Sequence, residues 1–155
     1  MTRCRWLALF IVTADQLSKI ILLKYFTPGE SFPLIKHVLH LTLVFNKGGA
    51  FGIFANATSV FILISLVVII AIAAFLFYKK TTQYSIAVAL SCIMAGAASN
   101  LIDRLRFGYV IDFIDFRIWP VFNIADSAIT LGTLWLVYYV VARSPATEGG
   151  GTTKQ

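Results

Sequence analysis

The sequence predicts an all-α membrane protein with four transmembrane helices, and three observations lead to this fold class. The 155 residues are 59% hydrophobic and 13% charged, whereas a soluble domain has about 45–50% apolar and about 25% charged residues. Four apolar segments each approach the roughly 20 residues that cross a hydrocarbon core as a helix. Basic residues flank these segments singly or as one pair, which explains the net charge of +6 without a nucleic-acid partner.

The four membrane spans form one predicted domain over residues 1–142. They are expected at about residues 6–25, 57–78, 84–105 and 121–142. From residue 143 onward the composition changes to Pro, Gly, Thr and charged residues. Such a segment cannot bury enough apolar surface to fold, so residues 143–155 are predicted to be a disordered tail.

The N-terminus has two interpretations. Arg3 and Arg5, followed by the apolar run LALFIV and by Ala14, resemble a cleavable signal peptide. However, apolar residues resume after a polar cluster and continue to Leu23, and cleavage would leave an odd number of spans. We therefore expect the first segment to be retained as a membrane helix.

The orientation of the helices is predicted from the basic residues beside them. Lys and Arg are divided equally between the two sides, so their number alone does not decide the orientation. The turn at Lys79 and Lys80 is short and purely basic, whereas several basic residues on the opposite side are candidate functional residues. We therefore expect both termini in the cytoplasm.

The connection between the first two spans, residues 26–56, is too long for a simple turn. Apolar residues alternate with other residues in its middle part, a period of two that predicts a β-strand. These apolar residues are Leu39, Leu41, Leu43 and Phe45. The glycines that follow, at 48, 49 and 52, predict a flexible bend. We expect a small periplasmic β-sheet segment, and with it a surface helix.

Ionisable residues inside apolar spans are the most informative feature of the sequence. A charged group at the bilayer centre costs roughly 2.5–3.5 kcal/mol on insertion scales, so it is usually paired, turned inward and functional. Asp15 and Lys19 lie four residues apart, on one face of the first span, and can neutralise each other. A structural ion pair between helices is the favoured interpretation, and a role in a site is the alternative.

Three polar residues lie close together where the third span ends. Asn100 lies between apolar residues and is predicted to form hydrogen bonds between helices. Asp103 and Arg104 can be explained as a solvated helix terminus. The small residues that precede them, between Ser91 and Ser99, predict close packing against neighbouring helices.

Asp126 is predicted to lie five residues into the fourth span, with Asn123 one turn earlier and no basic residue near it. Such an acid either forms a hydrogen bond between helices or belongs to a reaction site. Asp112, in the amphipathic stretch VIDFIDF, is its natural partner. Asp115 is the competing candidate, although it could equally pair with Arg117 at the surface.

All of these polar groups fall at the same end of the four spans, which indicates a single site. Two carboxyls brought together at a dry boundary cannot both ionise easily, so one of them keeps a proton. The pair can then activate water and protonate a leaving amine, which is the chemistry of an aspartic protease. A proton or ion transporter is the alternative, but a relay needs polar groups through the whole membrane thickness.

Five short motifs, in this order, resemble the lipoprotein signal peptidase (signal peptidase II) family over about residues 6–142. They are DQLSK at 15–19, NKGGAFG at 46–52, SNLIDR at 99–104, VIDF at 110–113 and FNIADS at 122–127. Two positions depart from the family pattern, since Ser99 and Gly49 stand where Gly and Ala are usual. Both residues are small, so we expect the activity of the family to be retained.

The resemblance implies an intramembrane aspartic endopeptidase that removes signal peptides from diacylglyceryl-modified prolipoproteins, cleaving before the lipidated cysteine. It assigns the catalytic role to Asp112 and Asp126. By the same match, the residues that support or line the site are Asp15, Lys19, Asn46, Gly48, Asn100, Asp103, Arg104 and Asn123.

The resemblance also implies the setting in which the protein works. The partners are prolipoprotein substrates and membrane lipid, and no metal or cofactor is expected. The location is the inner membrane of a bacterium, as a multi-pass protein with its site toward the periplasm. We expect the protein to act as a monomer.

Overall fold

The computed structural model describes residues 2–49, 57–79 and 83–143 of the chain. These residues contain the helices α1 (Thr2–Tyr25), α2 (Thr58–Tyr78), α3 (Tyr84–Phe107) and α4 (Ile124–Arg143). Each of the four helices is long and apolar enough to span a membrane. The predicted fold class is confirmed, and the predicted helix ends differ from the observed ones by a few residues. The tail was expected from residue 143, but Arg143 is the last residue of α4. The rest of the expected tail, residues 144–155, and Lys80 lie outside the described residues.

A three-stranded antiparallel sheet lies at one end of the helices. Its strands are β1 (Ser31–Ile35), β2 (Leu39–Asn46) and β3 (Val110–Asp115), in the order β1-β2-β3. The alternation in residues 39–45 therefore predicted β2 correctly. Leu43 of β2 is fully buried and packs with Leu22 of α1 and Phe113 of β3, which fixes the sheet on the helices.

The amphipathic stretch VIDFIDF forms β3 rather than a helix. Its first four residues are all buried, so its apolar pattern alone does not identify the strand. Pairing with β2 decides its conformation, since Asn46 lies opposite Val110 and Val44 lies opposite Asp112. Among the described residues there is no surface helix. Residues 50–56, which include Gly52 of the expected bend, are not among those described.

Helix α3 lies at the centre of the bundle and contacts α1, α2 and α4, whereas α2 packs mainly against α3. Small residues permit the close approach of α3 and α4, as predicted. A Cβ atom at Gly96 would overlap the carbonyl oxygen of Ala125 in α4. A Cβ atom at Gly132 would lie 2.7 Å from the carbonyl oxygen of Ala89 in α3. These contacts fix the position of α4 beside α3.

Helix α4 begins later than predicted because Asn123 caps it. The side-chain oxygen of Asn123 accepts a hydrogen bond from the backbone N–H of Asp126 at 2.8 Å. In return, the Asp126 carboxyl accepts one from the backbone N–H of Asn123 at 3.3 Å. This reciprocal arrangement is a capping box. Asp126 is therefore in the first turn of α4, not five residues inside the span.

Candidate active site

The first polar group at this end of the bundle consists of Asp15, Lys19 and Asp103, here called the ion cluster. The ammonium nitrogen of Lys19 lies 2.6 Å from an oxygen of Asp15 and 2.6 Å from an oxygen of Asp103. None of the three side chains is more than 2% exposed. The predicted Asp15–Lys19 pair is confirmed. The interpretation of Asp103 as part of a solvated terminus is wrong, because its carboxyl is buried against Lys19.

Gln16 and Ser99 complete the hydrogen bonds of the ion cluster. The amide of Gln16 donates to Asp103 at 2.8 Å and to the Ser99 hydroxyl at 3.0 Å. The Ser99 hydroxyl donates to Asp15 at 2.7 Å. The sequence pattern predicted only a packing role for Ser99. Its spacing of four residues from Asp103 was the available signal, because residues at this spacing share one helix face.

The second polar group consists of Asp112 from β3 and Asp126 from α4, here called the carboxyl pair. Both residues line one cavity of about 900 Å³. The structure therefore brings together the two acids that the sequence paired. The competing candidate Asp115 does not line this cavity. It accepts a hydrogen bond from Thr42 at 2.6 Å and lies 3.5 Å from the guanidinium of Arg117, as its alternative interpretation expected.

Neutral amides hold the carboxyl pair. One oxygen of Asp112 accepts from the side chain of Asn123 at 2.7 Å, and the other accepts from Asn46 at 2.9 Å. Asp126 accepts from the side chain of Asn100 at 2.7 Å. Within residues 2–49, 57–79 and 83–143, neither acid forms an ion pair. The pair is thus hydrogen-bonded without a cation in contact.

Each of the three amides is oriented by a donor to its oxygen. The backbone N–H of Gly48 donates to Asn46 at 2.9 Å, and Lys19 donates to Asn100 at 3.3 Å. The oxygen of Asn123 accepts from the helix backbone in the capping box. Because an amide presents one acceptor and one donor group, these contacts direct all three NH₂ groups toward the acids.

The two acids of β3 have opposite electrostatic environments. Burial, followed by repulsion from the Asp126 carboxylate, raises the pKa of Asp112 to about 7. Hydrogen bonds from Asn46 and Asn123 act in the other direction but do not outweigh burial. At Asp115, burial is outweighed by hydrogen bonds from Thr42 and from the backbone of Arg117, which hold its pKa below the ordinary value. Of the two acids of β3, Asp112 is therefore the one whose pKa lies near neutral pH.

The cavity is polar at the carboxyl pair and apolar along the helices. Arg104 lies at its polar end, with its guanidinium 5.0 Å from the centre of the Phe61 ring, a cation–π distance. Ile64 of α2, Ala97 of α3 and Ile129 of α4 belong to its apolar wall. The cavity therefore offers apolar surface that leads to two acids.

The structure places the ten predicted site residues in two layers. The cavity is lined by Asn46, Gly48, Asn100, Arg104, Asp112 and Asp126. Behind this lining lie Asp15, Lys19, Asp103 and Asn123, none of which is more than 1% exposed. All ten therefore belong to one connected site.

These features define a class of protein: a membrane-spanning bundle with two hydrogen-bonded acids beside an apolar cavity. Comparison with known proteins identifies the family within this class. The family model described as Signal peptidase (SPase) II matches residues 7–142. The chain therefore belongs to the signal peptidase II family, as its five motifs indicated.

Relatives of the chain carry a matching description, and a solved bacterial membrane enzyme shares its fold. A protein of Moorella thermoacetica described as lipoprotein signal peptidase is 46% identical over 144 residues, which cover 93% of this chain and 95% of the relative. One of Halothermothrix orenii with the same description is 43% identical, over 85% of this chain and 90% of the relative. A solved bacterial membrane enzyme superposes with a TM-score of 0.89 at 32% identity, covering 99% of this chain and 96% of that structure.

Proposed function

We propose that the protein removes the signal peptide from diacylglyceryl-modified prolipoproteins, cleaving before the lipidated cysteine. Its membership of the signal peptidase II family supports the reaction. One observation supports the mechanism above all others: two acids from different segments, Asp112 and Asp126, line the same cavity without a cation in contact. The proposed function is that of an aspartic endopeptidase acting at the membrane.

In the proposed mechanism, the carboxyl pair holds one water molecule and one shared proton. The ionised acid takes a proton from water while the water oxygen attacks the scissile carbonyl carbon. The protonated acid donates to the carbonyl oxygen. When the C–N bond breaks, the leaving nitrogen takes a proton and the signal peptide keeps a carboxyl end. The raised pKa of Asp112, about 7, supports the presence of this proton near neutral pH.

The apolar wall of the cavity supports a membrane-embedded substrate. Residues of α2 and α4, including Phe61, Ile64 and Ile129, face the same space. Because α2 packs mainly against α3, the signal helix can enter laterally from lipid between α2 and α4. The acyl chains of the substrate stay in the bilayer, and the sheet of β1, β2 and β3 covers the scissile segment.

The proposed location is the inner membrane of a bacterium, with the site toward the periplasm and both termini in the cytoplasm. The site lies at the C-terminal ends of α1 and α3, and the basic residues Arg3, Arg5 and Lys79 lie at the opposite end of the bundle. Because Lys and Arg are divided equally between the two ends, the support comes from the short, purely basic turn at Lys79 and Lys80, which is typical of the cytoplasmic side of spans. Residues 1–142 act as one peptidase domain, as a monomer.

Paired substrates test the proposed function. Purified protein is incubated with a diacylglyceryl-modified proprotein and with its unmodified twin, and mass spectrometry measures the products. We expect a mature fragment that begins at the lipidated cysteine, from the modified substrate only. Equal cleavage of both substrates would contradict the lipid requirement, and no cleavage of either would contradict the peptidase function.

A further inference from the structure

We propose that Lys19 is a positioning residue that sets the separation of Asp112 and Asp126. It acts through the backbone N–H groups of Ala125 and Ile111, the residues that immediately precede the two acids. This inference rests on the proposed peptidase function. Lys19 does not line the cavity, but it would control the geometry of the two reacting acids. Three chains of contacts lead from the Lys19 ammonium to the carboxyl pair.

The first chain of contacts leads to Asp126. The ammonium of Lys19 lies 2.6 Å from Oδ2 of Asp15. The other oxygen of Asp15, Oδ1, accepts a hydrogen bond from the backbone N–H of Ala125 at 3.0 Å. Ala125 immediately precedes Asp126, so the Asp15 carboxylate fixes the first turn of α4 at the residue before the acid.

The second chain of contacts leads to Asp112 in the same way. The ammonium of Lys19 lies 2.6 Å from Oδ2 of Asp103. The same oxygen accepts a hydrogen bond from the backbone N–H of Ile111 at 3.2 Å. Ile111 immediately precedes Asp112 in β3. Each acid of the carboxyl pair thus follows a peptide N–H that is held by one carboxylate of the ion cluster.

The third chain of contacts reaches a reacting carboxyl through one side chain. Lys19 donates to the oxygen of Asn100 at 3.3 Å, and the NH₂ group of Asn100 donates to Asp126 at 2.7 Å. A lysine ammonium carries three N–H donors. In Lys19 all three have a partner, and every partner leads to Asp112 or Asp126.

Removing the ammonium would change the distance between the two acids. The carboxylates of Asp15 and Asp103 would repel each other without the cation between them. Asp15 accepts the hydrogen bond from the Ala125 N–H, and Asp103 accepts the one from the Ile111 N–H. If the two carboxylates move apart, α4 and β3 therefore move apart with them. A displacement of about 1 Å at a reacting group can lower a rate about 100-fold.

Stability alone does not explain this arrangement. Buried ion pairs contribute little net stability compared with apolar residues of similar size. An apolar cluster at this position could pack α1 against α3, but it could not hold two peptide N–H groups. The attachment of both carboxylates to the residues before Asp112 and Asp126 is therefore the feature that points to positioning.

The test uses the substitution Lys19→Met, with Lys24→Met as the matched control in the same helix. Lys24 is exposed and lies outside the site. For Lys19→Met we expect kcat on a diacylglyceryl proprotein to fall about 100-fold. We expect KM to stay within about twofold, because the apolar cavity wall is unchanged. For Lys24→Met we expect both parameters to remain at the parental values.

The pH profile of kcat separates positioning from other roles of Lys19. Two coupled acids give a bell-shaped profile whose limbs are spread by their mutual repulsion. Other charged groups facing the pair are Asp15, Asp103 and Arg104. If Lys19→Met separates the acids, the two limbs move closer together. An equal shift of both limbs would mean an effect of charge alone, and an unchanged shape at lower amplitude would mean loss of folded protein. Either result would overturn the proposal.

A second variant keeps the test decisive if Lys19→Met does not fold. The double substitution Asp15→Asn/Lys19→Met leaves the formal net charge of the ion cluster unchanged while removing its central cation. The neutral amide at position 15 no longer repels Asp103, but no ammonium draws the two side chains together. We therefore expect kcat to fall and the two limbs to approach each other, both by less than in Lys19→Met, and parental kinetics would overturn the proposal. The parental protein is assayed in parallel. If it does not cleave the substrate, the proposed function fails. If it does and the variants match it, only the positioning role fails.

Discussion

The ion cluster and the carboxyl pair each bury two acids at the same end of the bundle, and they differ in what lies beside those acids. In the ion cluster the ammonium of Lys19 lies 2.6 Å from both carboxylates. In the carboxyl pair the partners are the neutral side chains of Asn46, Asn100 and Asn123. The charge of the buried acids is thus compensated by a cation in the ion cluster, whereas the carboxyl pair is hydrogen-bonded to neutral groups.

This difference assigns structure to one group and chemistry to the other. Amides satisfy the hydrogen bonds of the carboxyl pair without fixing its charge, and burial then raises the pKa of Asp112 to about 7. The ion cluster instead holds the backbone N–H groups of Ile111 and Ala125, the residues before the two acids. Substitutions in the carboxyl pair should therefore lower mainly kcat, whereas substitutions in the ion cluster should also lower the free energy of unfolding.

The largest expected effect is the loss of activity on removing proton exchange from the carboxyl pair. Asp112→Asn and Asp126→Asn keep the side-chain shape but cannot exchange a proton. We expect each to lower kcat by about 10⁴-fold, the upper end for general acid–base catalysis. Cleavage of a diacylated proprotein measures the effect. Asp115→Asn, on the same strand, is the matched control and should retain the parental rate. Full activity of either Asp112→Asn or Asp126→Asn would end the catalytic assignment.

The next effect concerns stability and should appear mainly in the ion cluster. Asp15→Ala breaks a buried ion pair and leaves the Ala125 N–H without its acceptor, so we expect a loss of about 3–5 kcal/mol in the free energy of unfolding. Asp112→Ala removes an acid that no cation contacts and should cost much less. Thermal unfolding in detergent compares the two. An equal loss of stability in both variants would remove the distinction between the two groups.

Two glycines test whether the position of α4 matters at the site or only in the bundle. In Gly96→Ala the new methyl group meets the carbonyl of Ala125, beside Asp126. We expect a stability loss of about 1–3 kcal/mol and a fall in kcat of about 10- to 100-fold. Gly132→Ala crowds the same two helices about one to two turns further from Asp126 and should destabilise with little change in kcat. The contrary result, equal kcat in the two variants, would show that activity tolerates displacement of α4.

The last expected effect is the response of the parental enzyme to alkaline pH. As pH rises through about 7, Asp112 loses its proton, and no acid remains in the pair to protonate the leaving nitrogen. We expect kcat to fall about tenfold for each further pH unit. The depressed pKa of Asp115 keeps it ionised over this range, so it does not contribute. Rates between pH 6 and 9 provide the measurement, and a flat profile would disagree with a shared proton.

Local spacing was sufficient to predict much of the fold and part of the site. The four spans follow from long apolar runs, and β2 follows from the alternation in residues 39–45. The Asp15–Lys19 contact follows from a spacing of four on a helix. The pairing of Asp112 with Asp126 followed from the position of both acids at one end of the spans. In each case the property depends on neighbours along the chain or on the number of membrane crossings.

Tertiary structure alone decided the remaining contacts. The burial of Asp103 against Lys19 depends on how closely α1 packs on α3, and the strand conformation of β3 depends on its pairing with β2. Asn123 begins α4 because its side chain bonds to Asp126. A hydrophobic pattern specifies which surface of a helix is buried, but the partner of a buried polar atom is set by the approach of another element. For this reason the sequence determined the spans and the two acids proposed to react, and only the packed bundle decided how these acids are held.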